Sequence, residues 1–478
     1  MIKIYSRFAL FSTLMFIFSI FPVSSQLKAP DIELSFDTYV STGQQNPFWF
    51  VSNQYGKYTL SKNAALASVI AQSEADTSGV FDVNYGFELV NRYDGADKFW
   101  FNQAYMQMDY HNFIRFKAGL WEESLGNEYT SLSSGSTIWS RNARPMPKIE
   151  IGTSGYVEVP YTRGILEVNG ALTHGWFETD RYVDGALLHQ KYISARSGWD
   201  FPLNLNWGLY HFAQWGGEHP SDGKYPTGIK DYLKVFFIRS GSEEAPETFQ
   251  LNKYGNHLGT RNYGIDWEDE TFTAGIYYQD IIEDGSGMRR RNFPDGLWGL
   301  YLTLEDQKAP VTGILYEYLQ TSDQSGPIHD WEEGLGGNDN YFNHGRYHYG
   351  WTFNQMTIGT PFITSPVYNE DVDHRLNYRI WNNRVKVHHF GIEGQITEGL
   401  DYKALVSYSK NKGIYDQNYI PEVFELESPL HQWSGKLDLY YELPAIEGLN
   451  LGGSMAFDKG RMYGDNWGLM VKVVYGGG

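Results

Sequence analysis

Apolar and polar positions alternate with a period of two along much of this chain. Leu437, Leu439, Tyr441 and Leu443 alternate with Lys436, Asp438, Tyr440 and Glu442, and Trp467, Leu469, Val471, Val473 and Tyr475 alternate with Gly468, Met470, Lys472 and Val474. Leu449, Leu451, Gly453, Met455 and Phe457, and Phe81, Val83, Tyr85, Phe87 and Leu89, repeat the pattern. Such alternation marks a strand whose two faces meet different surroundings. It predicts strands near 81–90, 99–110, 113–121, 149–160, 165–176, 188–199, 203–215, 259–265, 271–279, 298–304, 311–319, 388–396, 402–409, 436–443, 449–457 and 466–475. The stretch 320–387 has room for two more, giving 16–18 strands with 18 favoured.

A soluble barrel turns its apolar face inward, whereas an outer-membrane barrel turns it to lipid and lines its lumen with polar groups. Strand length of about 9–11 residues suits a tilted membrane crossing. Trp467 and Tyr475 lie at strand ends, where interfacial aromatic girdles belong. The connections agree. Working back from a periplasmic C-terminus, 444–448, 397–401, 305–310, 266–270, 200–202, 161–164 and 111–112 are short and fall inside. The long connections 122–148, 216–258, 280–297, 320–387 and 410–435 fall outside. The pattern therefore predicts an all-β transmembrane antiparallel barrel over 81–478 with large extracellular loops. Val235-Phe236-Phe237-Ile238 would invert this parity as a strand, and is assigned to a folded external loop.

The N-terminus reads differently. Lys3 and Arg7 precede the apolar run 8–21, and Val23, Ser24 and Ser25 supply small residues at a cleavage point, so 1–25 is expected to be a signal peptide. The run is shorter than the ~20 residues of a membrane anchor. Residues 26–80 fit the membrane pattern poorly, and Ser61 is expected to cap a short helix over 61–70 near the periplasmic side.

Composition narrows the function. Aromatic residues make up 17% of the 478, which excludes disorder. The formal charge of −19, or −21 once Lys3 and Arg7 leave with the signal peptide, argues against nucleic acid as a partner. Cysteine is absent, which removes disulfides and Cys-ligated metals. The chain carries no Gly-x-Ser-x-Gly, His-Glu-x-x-His or Gly-x-x-x-x-Gly-Lys motif. His344 with His348 and His388 with His389 have spacings compatible with metal ligation, and Glu122-Glu123 and Glu332-Glu333 could mimic a glycosidase dyad. Histidines in a wet loop and solvated carboxylates are the better readings. No metal, cofactor or catalytic residue is assigned.

Several stretches together resemble a known family: Ser52-Asn53-Gln54-Tyr55-Gly56, Arg144-Pro145-Met146-Pro147, Leu188-His189-Gln190-Lys191-Tyr192 and Gly255-Asn256-His257-Leu258-Gly259. Most specific are Asn338-Asp339-Asn340-Tyr341-Phe342-Asn343-His344, Gly350-Trp351 and Ile358-Gly359-Thr360-Pro361-Phe362. The chain resembles the Wzi-type capsule assembly proteins in the form found in Bacteroidetes. The resemblance implies an eighteen-stranded outer-membrane barrel whose N-terminal helical element closes the periplasmic end. It also implies a lectin-like, non-enzymatic role in attaching and organising capsular polysaccharide. The glycines after Tyr475 depart from the terminal aromatic usual in such barrels.

Saccharides are bound by aromatic faces and by amides or guanidinium groups that bond hydroxyls. The external loops supply Trp139, Arg141 and Arg144; Arg289, Arg290 and Arg291; and Trp331, Asn338, Asn340, Tyr341, His344 and Trp351 as candidate polysaccharide contacts. Expected partners are capsular polysaccharide, outer-membrane lipid and lipopolysaccharide, and the barrel assembly machinery. A sugar-selective porin and an outer-membrane hydrolase remain the alternatives.

Overall fold

The computed structural model describes residues 29–73, 80–126, 129, 131–199, 201–328, 337–369, 379–415 and 428–476. Its strands run, in order, β1 (Asp31–Ser41), β2 (Asn63–Gln72), β3 (Phe81–Tyr93), β4 (Asp97–Tyr110), β5 (Ile114–Leu120) and β6 (Lys148–Thr153, continued by Val157–Glu158). Next come β7 (Leu166–Trp176), β8 (Leu187–Ser197), β9 (Leu203–Trp215), β10 (Asn256–Glu268), β11 (Phe272–Gln279) and β12 (Gly296–Leu304). The wall ends with β13 (Gly313–Gln320), β14 (Val385–Thr397), β15 (Leu400–Asn411), β16 (Leu430–Glu442), β17 (Leu449–Gly460) and β18 (Asn466–Gly476). Because Lys148–Thr153 and Val157–Glu158 both pair with β7, the nineteen-segment sheet has eighteen staves. Each stave is antiparallel to the next, and β1 pairs with β18 from Glu33–Gly476 to Ser41–Gly468 to close the barrel.

Period-two patterning sorts the two faces. On β1, Ile32, Leu34, Phe36 and Val40 are exposed, whereas Asp37, Tyr39 and Ser41 are buried. On β16, Leu439 is 37% exposed and its neighbour Asp438 only 1%, held by Lys436 Nζ (3.1 Å) and Ser454 Oγ (2.5 Å). Exposed apolar and buried charged side chains invert the order of a soluble barrel, so lipid surrounds this one. Trp467 and Tyr475 are both exposed, at opposite ends of β18.

All sixteen expected strands are present, and the short turns 111–113, 198–202, 269–271, 398–399 and 443–448 share one end. With that end periplasmic, the long connections 42–62, 121–147, 216–255, 280–295, 321–384 and 412–429 are external. Val235 and Phe236 end a helix, α2 (Ile229–Phe236), within one of these loops.

Three expectations need correction. The two further strands are β1 and β2, whereas the described part of 321–384 contributes only the hairpin Thr352–Phe353/Met356–Thr357. Residues 63–72 form a strand rather than a helix. Both faces of β2 carry small or apolar groups, with Ala64 and Leu66 turned inward and Ala65 and Ala67 outward, so alternation is lost. Ladders to β1 and β3 on either side override the helix preference of alanine. The N-terminal helical turn is α1 (Phe48–Val51), which lies in the external connection 42–62 rather than at the periplasmic end. The expected signal peptide, 1–25, lies outside the described residues, as do Glu332 and Glu333.

Candidate functional site

The lumen is filled by external loops, each tied to inward-facing wall residues. From loop 121–147, Ser133 Oγ (2.7 Å) and Ser134 N (2.8 Å) donate to Glu317 on β13, and Thr137 N donates to Gln279 Oε1 on β11 (3.0 Å). His389 on β14 bonds the Leu132 carbonyl through Nε2 (2.8 Å) and the Ser407 hydroxyl through Nδ1 (2.7 Å). Tyr129 reaches Glu393, near the periplasmic end of β14, at 2.6 Å. A Cβ on Gly391 would lie 2.8 Å from Leu132 Cβ, so glycine lets this loop approach the wall.

Loop 42–62 enters beside it. The residues of α1 are all buried, Phe48 N donates to Asp458 Oδ2 (2.9 Å), and the Phe48 ring stacks on Tyr463 at 5.1 Å. Asn53 Nδ2 bonds the Ser134 carbonyl (2.8 Å), and Lys57 bridges Glu88 (2.8 Å) and Glu122 (2.9 Å). The third segment, 337–369, knits to the first through Ser140 N to Ile358 O (2.7 Å), Thr360 N to Thr137 O (3.1 Å) and Asn142 Nδ2 to Thr357 O (3.0 Å). Buried polar groups satisfied in this way hold one arrangement, because each lost partner leaves a costly unpaired group.

Most of the sequence-predicted contacts belong to this interior. Trp139 is 4% exposed and meets Phe212 edge-on at 5.2 Å. Arg141 Nη2 donates to Ser133 O (3.2 Å), and the Arg144 guanidinium lies 4.1 Å over Trp100. Burial, with Arg92 adding repulsion, lowers the Arg144 pKa to about 10. The Tyr341 hydroxyl accepts from Asn292 Nδ2 (2.7 Å), Asn340 Oδ1 accepts from Asn383 Nδ2 (2.6 Å), and Trp351 is fully buried beside Phe177. His344 Nδ1 accepts from the backbone of Arg346 and Tyr347, and burial holds the ring neutral with a pKa near 3. As folded, Trp139, Tyr341 and Trp351 offer no ring face to the outside. Asn338 is exposed, as are Arg289, Arg290 and Arg291. Trp331 lies outside the described residues.

The paired groups have structural partners. His388 faces outward to the Tyr316 hydroxyl (2.7 Å) while its neighbour His389 faces inward, and Glu123 is committed to Lys148 and to Trp121 Nε1 (2.7 Å). Among the described residues no three His, Asp or Glu side chains converge as metal ligands do.

Other half-buried groups line the external loops. Tyr182 stacks on His348 at 3.9 Å, Arg379 covers Tyr349 at 4.4 Å and bonds its hydroxyl (3.0 Å), and Arg384 lies 3.5 Å over Tyr415. These ring–ring and ring–guanidinium contacts join residues far apart in the chain, and no local sequence signal marks them.

Fold and filling together define a class, the outer-membrane β-barrel stoppered by its own external loops. The family model of the capsule assembly protein Wzi matches residues 29–364, and the chain belongs to that family. Among solved structures it is similar to Wzi of Escherichia coli, described as an outer-membrane protein involved in group 1 capsule assembly and a carbohydrate-binding β-barrel. That match has TM-score 0.60 and 15% identity, and covers 93% of this chain and 84% of that one. OpdL of Pseudomonas aeruginosa is more distant, with TM-score 0.48, 12% identity, and coverage of 94% and 98%. None of the curated proteins matches the chain in sequence.

Proposed function

We propose that this barrel binds capsular polysaccharide at its external face and helps to hold the capsule at the cell surface, without catalysing a reaction. The observation that carries the reading is the interlocked filling of the lumen by 42–62, 121–147 and 337–369. A diffusion pore needs an open aqueous path, whereas a stoppered barrel leaves its outer face as the working surface. Family membership and the carbohydrate binding of the E. coli relative support the same reading. Outer-membrane lipid and the assembly machinery are its other proposed partners.

On that face Asn338, Tyr182, His348, Tyr349, Arg346 and Arg379 supply rings, an amide and cations of the kinds that recognise sugars. The chain is strongly acidic overall, so an anionic polysaccharide must be drawn by local guanidinium groups. The test is binding of purified capsular polysaccharide to the detergent-solubilised barrel, paired with capsule staining of a deletion strain. The proposal expects polysaccharide shed into the medium on deletion, and weaker binding by Tyr349→Ala and Arg379→Ala with the heat-modifiable barrel retained on gels. Undiminished binding by both variants would move the site elsewhere, and a fully encapsulated deletion strain would reject the function.

A further inference from the structure

The three arginines at 289, 290 and 291 do not join the stopper. Their loop touches the stopper through Ser286 and Asn292, but the part that carries the arginines leans over the outer wall. Arg261 projects outward from β10 and clamps the loop, pairing with Asp280 (2.6 Å) and donating to the carbonyls of Gly287 (3.0 Å) and Met288 (3.2 Å). The backbone of Ile282 bridges Gly259 on the same strand. Asp284 then caps the single helical turn Gly285–Met288, and the chain emerges with Met288, Arg289, Arg290, Arg291 and Phe293 all exposed. Among the described residues none of the three guanidinium groups is paired with a carboxylate.

Arg290 reaches down the wall to bond the Tyr263 hydroxyl (2.6 Å). Beneath it lies a groove of about 580 Å³ on the outward face of β10, β11 and β12, walled by Tyr263, Ile265, Ile276, Tyr278, Phe293 and Trp298. Ile265, Ile276 and Trp298 are all exposed members of the lipid-facing surface, so the groove continues the interface that already meets acyl chains. The neighbouring loop leans outward too. Its helix α2 packs on the outer face of β8 and β9, with the Tyr232 ring against His189 (5.4 Å) and Trp215 (5.6 Å). It leaves Ile229, Leu233 and Phe237 exposed along one side, beside Lys230. An apolar helix face flanked by cations is the form of an interfacial helix.

We propose that the groove under Arg290 is a binding site for a phosphate-bearing glycolipid of the outer leaflet. One acyl chain lies along the groove, and Arg289, Arg290 and Arg291 hold the phosphate. Two features favour this occupant over polysaccharide. The groove is apolar and lies in the lipid face of the wall, and unpaired cations on an acidic chain match a phosphate, which guanidinium groups bind with paired hydrogen bonds.

The full-length barrel, reconstituted in phosphatidylcholine nanodiscs doped with monophosphoryl lipid A, tests this by native mass spectrometry of bound lipid. Wild type should retain lipid A, and Arg289→Ala/Arg290→Ala/Arg291→Ala should retain about tenfold less or lower still. Dephosphorylated lipid A should behave with wild type as lipid A does with the variant, and inorganic phosphate should not displace bound lipid. Ile276→Trp, which fills the groove and keeps the cations, should also lose lipid. Heat-modifiability on gels confirms that each variant is folded. Equal retention by wild type and the triple variant overturns the proposal. So does displacement of the lipid by purified capsular polysaccharide, which would return the arginines to the sugar site.

Discussion

Strand β16 and the loop segment 131–142 have similar ingredients, with hydroxyls, amides, aromatic rings and a few charges in each, yet they are organised differently. In β16 the environment changes at every residue. Leu437 and Leu439 face lipid, Asp438 is buried in the lumen, and register with β15 and β17 is continuous. In 131–142 no period exists, and almost every residue is buried by contact with a different partner: Leu132 with β14, Ser133 with β13, Thr137 with β11, Trp139 with β9. The wall is specified by two solvents and the stopper by individual hydrogen bonds and ring contacts. The wall should therefore respond to changes of polarity, and the stopper to changes of shape.

The largest expected effect is in the stopper. Trp139 is buried between Phe212 and Lys148, whose Nζ lies 5.0 Å from the ring, so Trp139→Ala should cost about 3–5 kcal/mol. Because the eighteen-stave wall stands without it, the loss should appear as faster proteolysis of 121–147 while the barrel keeps its heat-modifiable migration. Unchanged proteolysis would place Trp139 at a surface after all.

The wall gives the next effect. Leu439→Arg puts a cation on the lipid face three residues from the periplasmic end of β16, so it should cost less than the ~2–4 kcal/mol of a midplane site while still lowering the yield of assembled barrel. Asp438→Asn keeps hydrogen-bonding capacity toward Ser454 in the lumen and should assemble more fully. Equal yields of the two would mean that the face bearing Leu439 is not in lipid.

The smallest effect tests the seam between external loops with pH. Asp339 bonds the hydroxyls of Ser286 (2.9 Å) and Ser325 (2.7 Å), and burial, with Asp284 nearby, raises its pKa from 3.8 to about 6. Folding thus favours the protonated carboxyl. Its contribution to stability is fully present below pH 3.8 and is lost as pH rises through about 6. Amide exchange at 337–343 should therefore speed up between pH 5 and pH 7.5 beyond its intrinsic pH dependence. Asp339→Asn should flatten that rise.

Much of the wall was legible because lipid and water impose a strict period, and loop parity gave a separate check on orientation. The alternation of Ile32, Leu34, Phe36 and Val40 with Glu33, Ser35, Asp37 and Tyr39 is equally clear. Its partner β2, with alanines on both faces, carries no such contrast, so the N-terminal segment as a whole fits the membrane pattern poorly in sequence. The stopper was less legible. Trp139, Tyr341 and Trp351 carry the sequence signature expected of saccharide contacts yet are buried, because a ring waiting for a sugar and a ring buried against a wall look alike in sequence. What separates them is the lumen, which offers burial only after the barrel has closed. The external place of Arg289, Arg290 and Arg291 is legible from loop parity; that they lean over the lipid face depends on Arg261, twenty-eight residues before the first of them and on β10.

Single-channel conductance in planar bilayers tests the stoppered lumen most directly. The intact barrel should show no steady open level, whereas a variant with 131–142 replaced by a short Gly-Ser linker should open channels of large, stable conductance. A steady high-conductance pore in the intact protein would contradict the account, leaving a porin in place of a stoppered binding barrel.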